Sequence, residues 1–262
     1  MNNLKKTFWE VISAYSIEVP TIQRDYTYGR KSTKSIRVKF ISDIYNTLCL
    51  VNHSKLHLDF VYGRLEGVEN YEMLNRNKQS INTLLESLKG YANNIHIDVT
   101  YDTKEKHTES SDIVTFIPLD GQQRLTTLFL LHWYIAKKIN NGIALKTLSK
   151  FTYSTRNSSK EFIKMLMDYS EDSLNSFSIT NSELFFSFWK NDPTVKSMLT
   201  VIDEIDNKFI SVDHNEVWDL LTKEKQITFD FFDLDAFDQT DELYVKMNAR
   251  GKKLSNFENF KA

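Results

Sequence analysis

The stretch Leu119-Asp120-Gly121-Gln122-Gln123-Arg124-Leu125-Thr126-Thr127 decides how this chain reads. Before it, Asp112 to Leu119 is a nearly continuous apolar run (Ile113, Val114, Phe116, Ile117), the pattern of a buried strand. After it, Leu125 to Ile139 is strongly apolar, with Leu125, Leu128, Phe129, Leu131 and Ile135 as the expected core face of a helix. A buried strand that turns at a glycine straight into a helix makes an anion site. The first helical N–H groups lack intrahelical partners, and the macrodipole adds positive charge there. Gly121 lets the backbone approach a phosphate, Arg124 offers a forked cation, and Gln122 and Gln123 supply donors or orient a ligand. Asp120 can cap the helix or hold a metal ion that bridges phosphate oxygens. The plainer alternative has Asp120 as the cap and Gln122, Gln123 and Arg124 as solvated surface.

On the N-terminal side, Leu4 to Ser13 places Leu4, Phe8, Val11 and Ile12 at helical spacing, and Tyr15 to Pro20 alternates like a strand. Ile36 to Val51 returns to a helix through Ile36, Phe40, Ile44 and Leu48, and Leu56 to Leu65 reads as a strand with Gly63 as a bulge. Between them and the signature, a helix over Ser80–Leu88, a strand over Ile95–Val99 and a polar hairpin tip over Asp102–Ser111 are expected. The second half reads as helices over Ser159–Tyr169, Asn181–Lys190, Pro193–Phe209 and His214–Leu221, then a strand over Ile227–Leu234 and a helix over Asp241–Asn248 broken at Gly251. Phe185, Phe186, Phe188 and Trp189 are expected as packing residues rather than a base-stacking platform. The expectation is an α+β chain: a core over residues 1–140 with a small mixed sheet, then a mostly helical subdomain over 141–262. The chain stops inside a last helix capped by Ser255, which reads as a cut from a longer protein.

Composition narrows the classes. With 7 Gly and 3 Pro in 262 residues, the many tight turns of an all-β sandwich are not provided for. A net charge of -2 excludes an overall basic protein, so contact with nucleic acid needs a local patch; Arg30, Lys31, Lys34, Arg37 and Lys39 form one such cluster, or else a solvated helix face. Cys49 has no partner for an internal disulfide and reads as a small buried hydrophobe. His53, His57, His96, His107, His132 and His214 are scattered, with no metal-ligand spacing of a nuclease. No signal peptide or membrane-spanning run is visible, so a cytoplasmic location is expected.

Three motifs occur in order: Val19-Pro20-Thr21-Ile22-Gln23-Arg24-Asp25-Tyr26, then Asp120-Gly121-Gln122-Gln123-Arg124-Leu125-Thr126-Thr127-Leu128, then Tyr244-Val245-Lys246-Met247-Asn248-Ala249-Arg250-Gly251-Lys252-Lys253-Leu254. Together they resemble the N-terminal domain family of GmrSD-type modification-dependent restriction enzymes, and they span nearly the whole chain. Tyr28 stands where that family usually has Trp. The resemblance implies a ParB/sulfiredoxin-like core that binds and hydrolyses a nucleoside triphosphate with Mg²⁺, in defence against modified phage DNA. It also implies a following HNH-type nuclease domain and contact with DNA through the full-length protein. On this reading Asp120, Gln123 and Arg124 carry the chemistry. Gln23, Arg24, Gly121, Gln122, Arg124, Asn248 and Arg250 hold the nucleotide, and Asp120 takes the Mg²⁺. Read from the residues alone, Gln23 and Arg24 lie either in the cleft or on an exposed loop. Asn248 and Arg250 either face the ligand or belong to a Schellman cap at Gly251. The competing function is a DNA-modification sensor that uses the same cleft for a backbone phosphate and hydrolyses nothing.

Overall fold

The structure is a computed structural model; it describes residues 5–20, 25–50, 55–68, 71–72, 79, 81–87, 89–90, 114–154 and 157–234. Among these the fold is α+β, with one six-stranded mixed sheet surrounded by helices. The strands are β1 (Lys5–Lys6), β2 (Ser16–Val19), β3 (Leu56–Glu66), β4 (Thr115–Asp120), β5 (Phe151–Tyr153) and β6 (Ile227–Asp233). The helices are α1 (Phe8–Ala14), α2 (Lys34–Cys49), α3 (Gln122–Lys138), α4 (Gly142–Leu148), α5 (Asn157–Asp168), α6 (Ser176–Asn181), α7 (Pro193–Phe209) and α8 (His214–Thr222), with residues 81–87 helical as well.

The sheet order is β1-β6-β3-β4-β2-β5. Strands β4, β2 and β5 run parallel, so their last residues Asp120, Val19 and Tyr153 deliver the chain to one end of the sheet. Strand β3 is antiparallel to β4, with Tyr62 opposite Asp120. Its first residues therefore run past that same end and, among the described residues, pair only with the parallel β6 on their other side. A register shift at Tyr62/Gly63 fits the bulge expected at Gly63. The sheet draws strands from both sides of residue 140, and one continuous core cluster includes residues from Phe8 to Phe229.

Helix α3 sits at the centre: every residue from Leu125 to Ala136 is buried, including the five expected core residues. A helix apolar on all sides belongs inside a layer of neighbours, and α3 packs against α1, α4, α7 and α8. Three local expectations are corrected. The first helix starts at Phe8 rather than Leu4, because Thr7 and Glu10 form a reciprocal capping box while Lys5 and Lys6 pair with β6. The helix expected over Asn181–Lys190 is instead the end of α6, a turn, and a 3-10 segment over Ser187–Asn191. Four aromatics at positions 185, 186, 188 and 189 cannot all face one side. Trp189 is buried, whereas Phe186 and Phe188 are 58% and 56% exposed with their rings stacked on each other. Cys49 is half-buried, with its thiol pushed up to about 11 mainly by burial. The strand expected over Ile95–Val99, the hairpin tip over Asp102–Ser111 and the helix over Asp241–Asn248 lie outside the described residues.

Candidate functional site

The site is built where β4 ends. Gly121 is the N-cap of α3 at φ 87° and ψ 2°, a left-handed conformation that a side chain makes costly. A Cβ there would also meet Val61 Cγ2 at 2.8 Å, so the turn lies flush on β3. No side chain caps α3. Asp120 is therefore not the cap that sequence allows; it pairs instead with Arg124, Oδ2 to Nη2 at 3.2 Å. The plainer alternative of a solvated helix start also fails, since Gln122 is only 6% exposed and Arg124 19%. Asp120 stays open to water at 54%.

Arg124 is held from a second direction. Strand β3 has a bulge where residues 58 and 59 face one residue of β6, and Asp59 takes a φ of 50°. At this bulge the Leu58 carbonyl accepts a hydrogen bond from Arg124 Nη1. The guanidinium thus lies between β3 and the end of β4, and only part of its five N–H donors is engaged by these two bonds.

Gln123 looks away from the turn, across to the segment after β2. Its Oε1 accepts from the Thr27 amide at 2.8 Å, and its Nε2 donates to the Asp25 carbonyl at 2.9 Å. A side-chain amide used at both ends mimics a pair of backbone ladder bonds, and it ties residues 25–27 to the first turn of α3. One turn on, the Tyr26 hydroxyl meets Thr127 Oγ1 at 2.7 Å inside the core. Thr126 likewise meets the Tyr153 hydroxyl at 2.8 Å, so the two threonines of the signature bind the chain after β2 and the end of β5 respectively. Tyr28 packs edge-on to Phe40. Burial raises its phenol above the ordinary value, with Arg124 pulling down and Asp120 pushing up, which puts the phenol within electrostatic reach of the ion pair.

Asp120, Gly121, Gln122, Gln123 and Arg124 are thus gathered at one turn by the strand–glycine–helix order itself. Gln23, Arg24, Asn248 and Arg250 lie outside the described residues; Gln23 and Arg24 immediately precede the clamped Asp25 in the chain. Thr27, Tyr28 and the Leu58 carbonyl are not read from sequence as parts of the site. Of the basic cluster, Arg30, Lys31, Lys34 and Lys39 are exposed, but Arg37 is buried. Among the described residues no group of three or more His, Cys, Asp or Glu could hold a metal ion, and no helix is long and apolar enough to cross a membrane.

No curated protein matches the chain. The family model of the GmrSD restriction endonuclease, N-terminal domain, matches residues 8–262. The match covers more than half of the chain, which therefore belongs to the family of GmrSD restriction endonuclease N-terminal domains and is a domain of a restriction system.

Proposed function

We propose that the Asp120–Arg124 turn binds the phosphates of a nucleoside triphosphate, and that the chain hydrolyses it as the regulatory domain of a restriction system acting on modified DNA. The observation that carries this reading is the uncapped start of α3. Its first-turn N–H groups and positive dipole end sit behind a glycine flush with β3, beside a guanidinium that makes two hydrogen bonds among the described residues, fewer than its five donors allow. The arrangement fits the ParB-like phosphate turn that the family resemblance implies. Gly121 and Gln122 bring backbone to the phosphates, and Arg124 stabilises charge on the γ-phosphate as the bond to the β-phosphate oxygen breaks. On this reading Gln23, Arg24, Asn248 and Arg250 supply the further nucleotide contacts that the family resemblance implies.

Of the residues expected to carry the chemistry, Asp120 and Gln123 are the two that could orient an attacking water. Both ends of the Gln123 amide are engaged, so its part is to hold residues 25–27. That leaves Asp120 as the carboxylate for the water or for Mg²⁺. A magnesium ion usually keeps its waters and takes one or two carboxylates plus phosphate oxygens. One exposed aspartate at the turn fits that donor set without a protein-only cage. Bound with the nucleotide, Mg²⁺ would be held on the protein side by Asp120 and would supply charge neutralisation to the phosphates.

The DNA-sensor reading is favoured by a different observation. Arg30, Lys31, Lys34 and Lys39 are exposed on and beside the start of α2, directly after the clamped segment. A phosphate-release assay with and without DNA separates the two. Release that disappears in Arg124→Ala supports hydrolysis at this turn; DNA binding with no release of phosphate from any nucleotide overturns it.

A further inference from the structure

The segment that Gln123 ties down at Asp25 and Thr27 is held further along, at Tyr28 and Gly29, by α2 and α7. Arg37, on α2, is 6% exposed and donates from Nη1 to the Tyr28 carbonyl at 2.8 Å. Its Nε stands 3.6 Å from Glu204 Oε2 on α7 and has no hydrogen-bond partner. Gly29 lies against the backbone of Ser197, also on α7, so closely that a Cβ there would fall 2.2 Å from the Ser197 Cα. Thr33 Oγ1 closes the turn by donating to the Thr27 carbonyl at 2.6 Å. Residues 25–29 are therefore held by α3 as well as by α2 and α7.

Arg37 is the unexpected member. A buried guanidinium with an unsatisfied Nε and an ion-pair partner beyond hydrogen-bond distance is a poor stabiliser; an apolar side chain of similar length would fill the place with less desolvation. What it does supply is a fixed position for the Tyr28 carbonyl.

We propose that Arg37 is a positioning residue for the nucleotide site: through Tyr28 it fixes the segment that follows Gln23 and Arg24, and through Glu204 and α7 it ties that segment to the helical half. The proposal rests on the nucleotide-binding reading of the Asp120–Arg124 turn. It extends that site to a residue whose side chain touches no ligand. Its place in a run of basic residues reads from sequence either as a contact for nucleic-acid phosphate or as part of a solvated helix face.

The test uses the whole chain with Arg37→Met, Arg37→Lys and Gly29→Ala, and two readouts: ATP and GTP affinity with Mg²⁺, and hydrogen exchange of the Thr27 amide. Arg37→Met is expected to keep the wild-type melting temperature or raise it, to speed Thr27 exchange at least tenfold, and to weaken nucleotide binding at least tenfold. Arg37→Lys, which keeps one donor toward Tyr28, is expected to recover part of both losses. Gly29→Ala, which pushes the turn off α7, is expected to weaken binding and loosen exchange even though Arg37 is intact. If Arg37→Met and Gly29→Ala leave Thr27 exchange and affinity unchanged, the proposal is overturned. A purely structural role would lower the melting temperature and leave affinity in the folded fraction untouched, which also overturns it. A wild-type chain that binds no nucleotide sinks the reading of the turn, whereas unchanged Thr27 exchange in the variants sinks the positioning role itself.

Discussion

Arg124 has two of its donors committed, to the Leu58 carbonyl and to Asp120, and is mostly shielded from water. On the proposed reading, Arg124→Ala should remove charge-assisted bonds to a phosphate worth roughly 1.5–3 kcal/mol each, or about ten- to a hundredfold in affinity per bond. The lost contacts to Leu58 and Asp120 should cost only about 1 kcal/mol of stability. Calorimetry and a thermal melt on one sample check both halves, and an unfolded variant with intact affinity in its folded fraction would make Arg124 a structural partner only. Gln123→Glu keeps an acceptor for the Thr27 amide but sets a carboxylate oxygen against the Asp25 carbonyl. It should lose roughly 1–3 kcal/mol, read as an earlier urea midpoint. The run Gln-Gln-Arg was legible as polar residues at a helix start. Which of them faces the core, the clamped segment or the ion pair was not, because the deciding partners are 66 to 98 residues away in the chain. Arg37 was misjudged for the same reason: a cation between exposed cations looks solvated until α7 is packed over it.

Helix α3 was the element most plainly written in the sequence, since an apolar run of that length after a buried strand has few other readings. Leu128, with 1% exposure, tests it: Leu128→Ala should cost roughly 2–5 kcal/mol through the cavity left, with nucleotide affinity of the folded fraction unchanged. Within the same helix His132 is fully buried beside Phe8, Trp9 and Trp218, and burial pushes its imidazole down to about 4. The unfolded chain titrates this group near 6.5, so between those values the unfolded state binds the extra proton. Stability from the neutral imidazole is therefore complete above about pH 6.5 and drains away as pH falls towards 4, by up to about 3 kcal/mol. Denaturant curves at pH 7 and pH 4.5 should show a smaller acid loss in His132→Leu than in wild type; equal losses would place the acid sensitivity elsewhere. Short elements were the ones missed. Helices α4 and α6 have six or seven residues, and their Asn141 and Asn175 caps give little signal without a long periodic run behind them. Strand β5, three residues long, is defined by its pairing with β2 rather than by its own pattern.

At the scale of the whole molecule, the fold class was legible and the pairing was not. Nothing local to Lys5–Lys6 or to Phe151–Tyr153 says that they form the two edges of one sheet, because each is recruited by a partner more than a hundred residues distant. That recruitment gives the site its place, with β2, β4 and β5 finishing at one end of the sheet and α3 running from it into the core. The six histidines of the chain show no nuclease spacing. This chain alone is accordingly expected to leave modified and plain plasmid DNA intact with Mg²⁺ or Mn²⁺, and cleavage that disappears on mutating one of its own residues would refute that. The central claim is that the α3 turn holds nucleotide phosphates, and titration calorimetry of the chain with ATP, GTP, CTP and UTP in Mg²⁺ tests it most directly. Saturable binding of at least one nucleotide is expected, weakened tenfold or more in Arg124→Ala while the melting temperature stays nearly constant. No heat from any of the four, or binding that Arg124→Ala leaves unchanged, would contradict it.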